Sequence, residues 1–173
     1  LSGSVGAGAT SCGDGLYFNA SSPVVTKTVI SFNRAASGGG ASCDGLPSNP
    51  TIAGNWFEGN YALGGWSGQG GGGIFLGGST SPVIEGNFFL RNVATNAGPY
   101  ITGLGGGILN GGQAGRILNN TFIGNVAFKT PSVVPGFDAN GGGIYSSSGT
   151  TRIANNLIVF GSSGLLAATS TTQ

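Results

Sequence analysis

Five carboxylates and two thiols are the side chains in this sequence that could take part in chemistry. The acids are Asp14, Asp44, Glu58, Glu85 and Asp138, and the sequence has no His. Acid–base catalysis needs titratable groups brought close together, and glycoside hydrolysis needs two carboxyls about 5–10 Å apart. A calcium-dependent lyase needs several carboxylates on one face. Only Asp14 and Asp44 occupy matching positions, so we predict no enzyme activity, no metal site and no cofactor.

The two cysteines stand in similar surroundings. Cys12 lies in Ser-Cys-Gly-Asp-Gly-Leu16, and Cys43 lies in Ser-Cys-Asp-Gly-Leu46. If they stack on adjacent turns of a repeat, their Cα atoms are about 5 Å apart, which a disulfide accepts. We favour a Cys12–Cys43 disulfide formed in an oxidising compartment. The alternative is two buried free thiols in a reducing compartment.

A repeated unit of about thirty residues must position these side chains. Its clearest marks are Gly-Gly-Gly-Ile at 71–74, 105–108 and 141–144, in alternation with Phe-x-x-Asn. Aligned on these marks, one column is apolar throughout: Val25, Ile52, Ile84, Ile117 and Ile153. We predict a single domain over 1–173, with flexible or exchanged termini at 1–11 and 162–173, and with repeats at about 12–33, 38–60, 71–92, 105–125 and 141–161.

The runs between these marks predict an all-β fold. They are short, rich in Ile, Val and Phe, and bounded by Gly, Asn and Ser, with no sustained helical period. The 37 Gly and 7 Pro residues also oppose helix. Coils of three such runs, each closing on the next coil, predict a right-handed parallel β-helix of about five coils. The longer connections all fall at one corner.

Two kinds of repeated side chain have structural roles in such a coil. A stacked Asn can pass its amide hydrogens to the Asn of the next coil, and it tolerates the left-handed conformation that turns need. The predicted ladder residues are Asn55, Asn87, Asn120 and Asn156 in one column and Asn60, Asn92 and Asn125 in another. The predicted core stack is Phe57, Phe89 and Phe122.

These motifs carry a resemblance. Gly72-Gly-Ile74, Gly106-Gly-Ile108 and Gly142-Gly-Ile144, each paired with a Phe-x-x-Asn run, resemble the repeat pair of the polymorphic outer-membrane protein family and of related β-helical surface adhesins. The resemblance covers roughly residues 12–161. It implies a right-handed β-helix displayed outside a cell, with a role in adhesion or surface structure.

Aromatic residues offer candidate contacts. The inserts 34–37, 61–70, 93–104 and 126–140 should leave the coil at the same corner. Aromatic side chains can stack on sugars or anchor a protein contact. The alternative is that these loops cover an outward apolar column that contains Trp56 and Phe88. The insert aromatics are Tyr61, Trp66, Tyr100, Phe128 and Phe137.

Composition limits the partners and the compartment. Charged residues make up 6% of the chain and the net charge is +1, so we predict no nucleic-acid partner. The sequence has no apolar stretch long enough for a transmembrane helix. It contains no Met and begins at Leu1, which we interpret as removal of a leader and export. Asn19-Ala-Ser21 and Asn119-Asn-Thr121 fit the glycosylation sequon.

Three functions remain as hypotheses. The first is a secreted extracellular structural protein that assembles with itself into a fibre or surface layer, by end-to-end stacking or terminal strand exchange. The second is a cell-surface adhesin or carbohydrate-binding module that contacts a host or matrix glycan or protein through its aromatic loops. The least favoured is a polysaccharide lyase or hydrolase.

Overall fold

The protein is all-β in the residues that the structure, a computed structural model, describes. These are 1–3, 13–45, 47–64, 70–78, 80–95, 103–112, 114–128, 140–147, 150–162 and 164–167. Each of the strands found there pairs with its neighbours in parallel, and the strands form four sheets. In each of the first four coils the chain passes through the four sheets in turn and then returns to the first, which confirms the predicted parallel β-helix of about five coils.

The strands are grouped here by sheet. The first sheet contains β1 (Leu16–Asn19), β5 (Ala41–Asp44), β9 (Ile74–Leu76), β13 (Ile108–Asn110), β17 (Ile144–Ser146) and β20 (Leu165–Ala167). The second contains β2 (Val24–Thr26), β6 (Thr51–Ala53), β10 (Val83–Glu85), β14 (Arg116–Leu118) and β18 (Arg152–Ala154). The third contains β3 (Val29–Ser31), β7 (Trp56–Glu58), β11 (Phe88–Leu90), β15 (Thr121–Ile123) and β19 (Leu157–Val159). The fourth contains β4 (Arg34–Ala35), β8 (Tyr61–Ala62), β12 (Val93–Ala94) and β16 (Val126–Ala127).

Four of the coils have a fourth strand, which is a departure from the predicted three runs. It is only two residues long, so it carries no alternation that a sequence pattern could reveal. It follows directly after the second Asn of the repeat. The long connections therefore begin after it, at 36–40, 63–73, 95–107 and 128–143, and all of them join the fourth sheet to the first.

The core is a set of columns made by one inward residue per strand. In the second sheet Ile52 pairs with Ile84, and Ile84 pairs with Ile117, each fully buried. The flanking residues of these three-residue strands point outward, because successive side chains of a strand alternate between faces. Register is strongly specified in such a coil, since a slip of one residue would turn the apolar column to solvent.

The glycine triplets and the Phe column belong together. Gly71 begins a coil with a φ of +71°, a left-handed turn that a side chain would strain. A Cβ added at Gly73 would lie 2.9 Å from the Phe89 ring and 2.6 Å from the Gly107 carbonyl oxygen. The Phe ring therefore fills the space that the missing glycine side chain leaves, which explains why the two motifs alternate along the sequence.

The register of the first two coils corrects one expectation. Cys43 pairs with Phe18 and Asp44 pairs with Asn19. The similar surroundings of Cys12 and Cys43 therefore do not mark equivalent positions, and the predicted stacking of Asp14 on Asp44 is wrong. The apolar column decides the register: Phe18, Cys43 and Leu76 all point into the core, at 7% exposure or less.

Candidate functional site

The carboxylates lie apart from one another. Asp14 precedes β1 and Asp44 ends β5, whereas Glu58 and Glu85 lie on the outer faces of the third and second sheets. Asp138 lies outside the described residues. Within the part of the chain that the structure describes, no three His, Cys, Asp or Glu side chains come together as metal ligands would.

Cys43 is a free thiol, fully buried between the first-sheet strands β1 and β9. Its partner in the predicted disulfide, Cys12, lies outside the described residues. Burial raises the pKa of the Cys43 thiol, and the neighbouring Asp44 carboxylate adds to the effect. A thiol that stays protonated is a poor nucleophile, so Cys43 fills the core and has no reactive role.

We expect Cys43 to make stability depend on alkaline pH. Because its folded pKa is raised, the protonated thiol favours the folded state. That contribution is complete below the unfolded thiol pKa of about 8.5 and is lost as pH rises above it, by about 2 kcal/mol at pH 10. Urea unfolding at several pH values should show this loss in a Cys12→Ser protein. A Cys12→Ser/Cys43→Ala protein with the same pH dependence would contradict the assignment.

Two ladders of Asn side chains run along the coils. In the first, Asn87 Nδ2 donates to Asn120 Oδ1 at 3.0 Å and to the Ile52 carbonyl oxygen at 2.8 Å. The same pattern joins Asn55 to Asn87 and Asn120 to Asn156. The donating amides of Asn55, Asn87 and Asn120 are buried, so each hydrogen bond that they donate satisfies a group with little access to water.

The second ladder has the same geometry. Asn60 Nδ2 donates to Asn92 Oδ1 at 3.0 Å, and Asn92 Nδ2 donates to Asn125 Oδ1 at 2.9 Å. Its first member is Asn33, which donates to Asn60 Oδ1 at 3.1 Å. Between the two ladders lies the inward column of the third sheet. There the rings of Phe57, Phe89 and Phe122 stack with centroids 4.9 and 4.6 Å apart.

The outer face of the third sheet is largely apolar and is partly open to solvent. We call it the third-sheet face; its outward residues are Val29, Trp56, Phe88, Thr121 and Leu157 in one column and Ser31, Glu58, Leu90, Ile123 and Val159 in the other. Val29 is 56% exposed and Leu157 is 57% exposed, so loops do not cover either end of the column. Glu58 is the one charged residue among the ten.

Trp56 and Phe88 stack on each other within this face. Their ring centroids are 4.2 Å apart and their planes differ by 16°. Trp56 Nε1 also donates to Glu58 Oε2 at 3.1 Å, so the one carboxylate of the third-sheet face has a hydrogen-bond partner within that face. Because one ring face of each aromatic is turned to the other, the pair is less suited to stack on a sugar than two separate rings would be.

Two exposed aromatics at the border of this face escaped the sequence analysis. Phe32 and Phe160 immediately follow β3 and β19, with φ values of 55° and 53°, and both are well exposed. They occupy the same corner at opposite ends of the β-helix, where Gly59, Arg91 and Gly124 stand in the coils between. The aligned repeats could have revealed both residues, because Phe32 and Phe160 stand where two of the other copies have Gly, just before the expected end of the unit.

The insert aromatics fall into two groups. The sequence predicts that Tyr61 projects from a loop. In the structure it lies in β8 and is half-buried, with the Arg34 guanidinium 5.4 Å from its ring centroid. Phe128 directly follows β16 and is exposed. Trp66, Tyr100 and Phe137 lie outside the described residues.

The two sequon asparagines are both exposed. Asn19 ends β1, and Asn119 lies at the corner between the second and third sheets with a φ of 55°. Asn119 Nδ2 donates to Glu85 Oε1 at 3.1 Å. Glycosylation at either position stays a prediction.

Comparison with known families agrees with this geometry. The family model described as a right handed beta helix region matches residues 9–173. Comparison with curated proteins and with solved structures found no match. Within the described residues no helix is long and apolar enough to cross a membrane. Four stacked parallel sheets and a family match over nearly the whole chain lead to one conclusion: this chain belongs to the right-handed β-helix family.

Proposed function

We propose that this protein is a secreted structural protein, the subunit of a fibre or surface layer in which β-helices associate with one another. The observation that carries the proposal is the third-sheet face. Parallel sheets are usually covered on both sides, and an uncovered apolar patch typically marks an interaction surface. End-to-end stacking or exchange of terminal strands would extend such an assembly along the helix axis.

The size of the face indicates the kind of contact it makes. Five rungs about 4.8 Å apart and strands of three residues, about 10 Å long, give a footprint of roughly 240 Å² on each copy. A pair of copies would bury about 500 Å², which is less than a stable dimer needs. Each contact is therefore weak, and an assembly gains strength by repeating it, as in multivalent binding.

The proposal predicts self-association that a charge on the face abolishes. We expect the native protein to form larger species as its concentration rises, and a Phe88→Glu protein to remain monomeric because two carboxylates would be buried in each contact. Sedimentation velocity over a hundredfold concentration range measures this, and negative-stain micrographs show the form of the assembly.

The matched control is Val24→Glu. Val24 is 72% exposed on the second sheet, so this variant adds the same charge away from the third-sheet face. It should associate as the native protein does. A native protein that stays monomeric at the highest concentration, or a Phe88→Glu protein that associates normally, would overturn the proposal.

An adhesin or carbohydrate-binding module is the second candidate. The exposed aromatics Phe32, Phe128 and Phe160 favour it, since single exposed rings can anchor a partner. It predicts that Phe32→Ala and Phe128→Ala weaken binding to a host or matrix glycan or protein without changing self-association. Such a loss, found in a binding screen against immobilised glycans, would favour this candidate.

A polysaccharide lyase or hydrolase is the third candidate. The family includes enzymes such as pectate lyases as well as proteins without catalytic activity. Asp14 and Asp44 lie at opposite ends of first-sheet strands, and Glu58 and Glu85 lie on two other sheets, so their separation disfavours paired-carboxylate chemistry in the described residues. Release of unsaturated or reducing sugars from acidic polysaccharides by the purified protein would revive it.

A further inference from the structure

Residues 1–3 form an extra rung at one end of the third sheet. Ser2 pairs in parallel with Ser31 of β3. The Gly3 N–H donates to the Ser31 carbonyl oxygen at 3.2 Å, and the Ser31 N–H donates to the Leu1 carbonyl oxygen at 2.9 Å. These bonds extend the third sheet by one rung beyond β3, and we call residues 1–3 the N-terminal rung.

A column of residues with positive φ runs along the corner that follows the third sheet. The N-terminal rung contributes its first member, since Gly3 follows Ser2 as Phe32 follows Ser31, the register partner of Ser2. Glycine alternates with a large side chain along this corner column, whose members in order are Gly3, Phe32, Gly59, Arg91, Gly124 and Phe160.

The large side chains of the corner column lie over the glycine of the next coil. A Cβ added at Gly59 would be 2.6 Å from the Phe32 ring. One added at Gly124 would be 3.7 Å from Arg91 Cγ. In both pairs the large residue comes first along the chain, so the alternation has a direction as well as a period.

The two ends of the corner column are complementary. Phe160 is its last described member, and its side chain is 87% exposed. Gly3 is its first member, and a Cβ added there would meet nothing within 4 Å. One end of the β-helix therefore presents a ring without a glycine, and the other end presents a glycine without a ring.

The backbone groups at these ends match as well. Along the corner column an N–H donates to the carbonyl oxygen just before the next member, as Gly124 does to Val159 at 2.9 Å. The Phe160 N–H and the Ser2 carbonyl oxygen are the equivalent donor and acceptor at the two ends. Neither has a hydrogen-bond partner among the described residues. A second copy placed one rung beyond β19 would bring the two groups together.

The inward column of the third sheet continues in the same way. Asn33 Nδ2 donates to the Leu1 carbonyl oxygen at 3.4 Å, as Asn60 Nδ2 donates to that of Ile30 at 2.8 Å, so Leu1 stands one rung before Ile30. Leu1 is 60% exposed, and Ile158, the last member of this column, is only half-buried. Stacking of Leu1 of one copy on Ile158 of another would remove apolar surface of both from water.

The end faces also have matching steps. The first sheet ends at β20, one rung beyond β19 of the third sheet. At the opposite end the N-terminal rung lies one rung beyond β1. When the N-terminal rung of a second copy lies on β19, its β1 therefore lies on β20. Both sheets then advance by six rungs, about 29 Å, per copy. The chain that follows β20 lies outside the described residues.

We propose that these two ends bind each other in a head-to-tail contact between copies of this chain. Phe160 of one copy covers Gly3 of the next, and the third sheet continues from β19 into the N-terminal rung. The inference rests on the proposed function, since it names the contact by which the fibre grows along its axis, but it uses a surface other than the third-sheet face. A second copy is the partner because its end supplies the glycine, the carbonyl oxygen and the apolar residue in register.

Disulfide trapping between two proteins in a Cys12→Ser/Cys43→Ala background tests the contact and its direction. One protein also carries Ser2→Cys, and the other carries Val159→Cys. In the proposed contact these positions are register partners about 4.8 Å apart, which a disulfide accepts. Mild oxidation of the mixture should give a covalent dimer, whereas either protein alone should give little, because a head-to-tail contact does not bring like ends together. Leu157→Cys is the matched control for Val159→Cys and should trap far more slowly, at a distance of about 8 Å.

The contribution of the ring is measured with Phe160→Asn, and its matched control is Phe32→Asn. Asn tolerates positive φ, so both variants should fold. We expect Phe160→Asn in the Val159→Cys protein to slow trapping about tenfold, because the exposed ring is the anchor of the contact. Phe32→Asn in the Ser2→Cys protein should leave the rate within about twofold, since Phe32 covers Gly59 of its own copy. Each rate is divided by the rate at which the same thiol reacts with a small disulfide reagent.

The same experiment separates this contact from the third-sheet face. Trapping accumulates a weak contact, so the covalent dimer should also form between proteins that carry Phe88→Glu and sediment as monomers. Native protein that associates while the mixture gives no dimer would overturn the head-to-tail contact and leave the proposed function standing. A covalent dimer together with normal association of the Phe88→Glu protein would do the reverse. Equal trapping through Leu157→Cys, or equal losses from Phe160→Asn and Phe32→Asn, would also overturn the head-to-tail contact.

Discussion

Replacing Asn92 with alanine lowers the free energy of unfolding by about 3–5 kcal/mol. The side chain donates to the Phe57 carbonyl oxygen at 3.0 Å and to Asn125 Oδ1 at 2.9 Å. It also accepts from the backbone N–H and from Nδ2 of Asn60, both at 3.0 Å. All of these groups are buried, so the alanine variant leaves several of them without a hydrogen-bond partner and without access to water. Denaturation in urea measures the change.

A matched control distinguishes the effect of breaking the buried ladder from the effect of replacing an exposed Asn. Asn49 is exposed, and its Oδ1 accepts one hydrogen bond from the Ser81 N–H at 2.8 Å. Asn49→Ala should cost less than about 1 kcal/mol, because water replaces the lost partner. Equal losses for Asn49→Ala and Asn92→Ala would mean that the buried ladder does not stabilise the β-helix as described.

Replacing Phe89 with alanine should cost about 4 kcal/mol or more. Phe89 is fully buried in the middle of the stack, with Phe57 on one side and Phe122 on the other. A large cavity costs about 3–5 kcal/mol for Phe→Ala, and the two lost ring contacts add to it. The same urea experiment measures the change in unfolding free energy.

The gentler substitution at this position is Phe89→Ile. Ile30 and Ile158 occupy the same column in the first and last coils, so the coil accommodates this side chain. We expect a loss of about 1–2 kcal/mol, well below that of alanine. A Phe89→Ile protein as unstable as Phe89→Ala would show that ring stacking, and not filled volume, dominates the column.

Much of the fold could be predicted because alignment of the repeats shows which residues of successive coils stack on one another. Five aligned copies place Ile, Asn and Phe in columns, and each column has one physical reason for its residue type. The apolar column must face the core, and the amides must meet along the turns. A single copy of the unit would have carried none of this information.

One prediction was wrong because a local sequence similarity conflicted with the apolar core columns. Ser-Cys-Gly-Asp-Gly around Cys12 resembles the sequence around Cys43, but an alignment of the two would leave Phe18 without its place in the core. The register is set by the burial of Phe18, which stabilises the fold, and not by the similarity of the turn sequences. The two-residue fourth strand was missed for a different reason, since its hydrogen bonds come from backbone pairing and leave no pattern in side-chain type.

The candidate surfaces were only partly predictable. The column containing Trp56 and Phe88 follows from the alternation of a three-residue strand, so its outward direction could be inferred. That its ends remain uncovered could not, because the cover would come from the connections between coils.

Every pairing described above depends on the register of the coils, and disulfide trapping in a Cys12→Ser/Cys43→Ala background tests it most directly. Val24 and Thr51 are register partners on the outer face of the second sheet, about 4.8 Å apart, whereas Ala53 lies two residues further along. Val24→Cys/Thr51→Cys should oxidise rapidly to an intramolecular disulfide, and Val24→Cys/Ala53→Cys should not, because its Cα atoms are about 8 Å apart. The reverse result, or equal rates for both pairs, would contradict the in-register stacking of the coils.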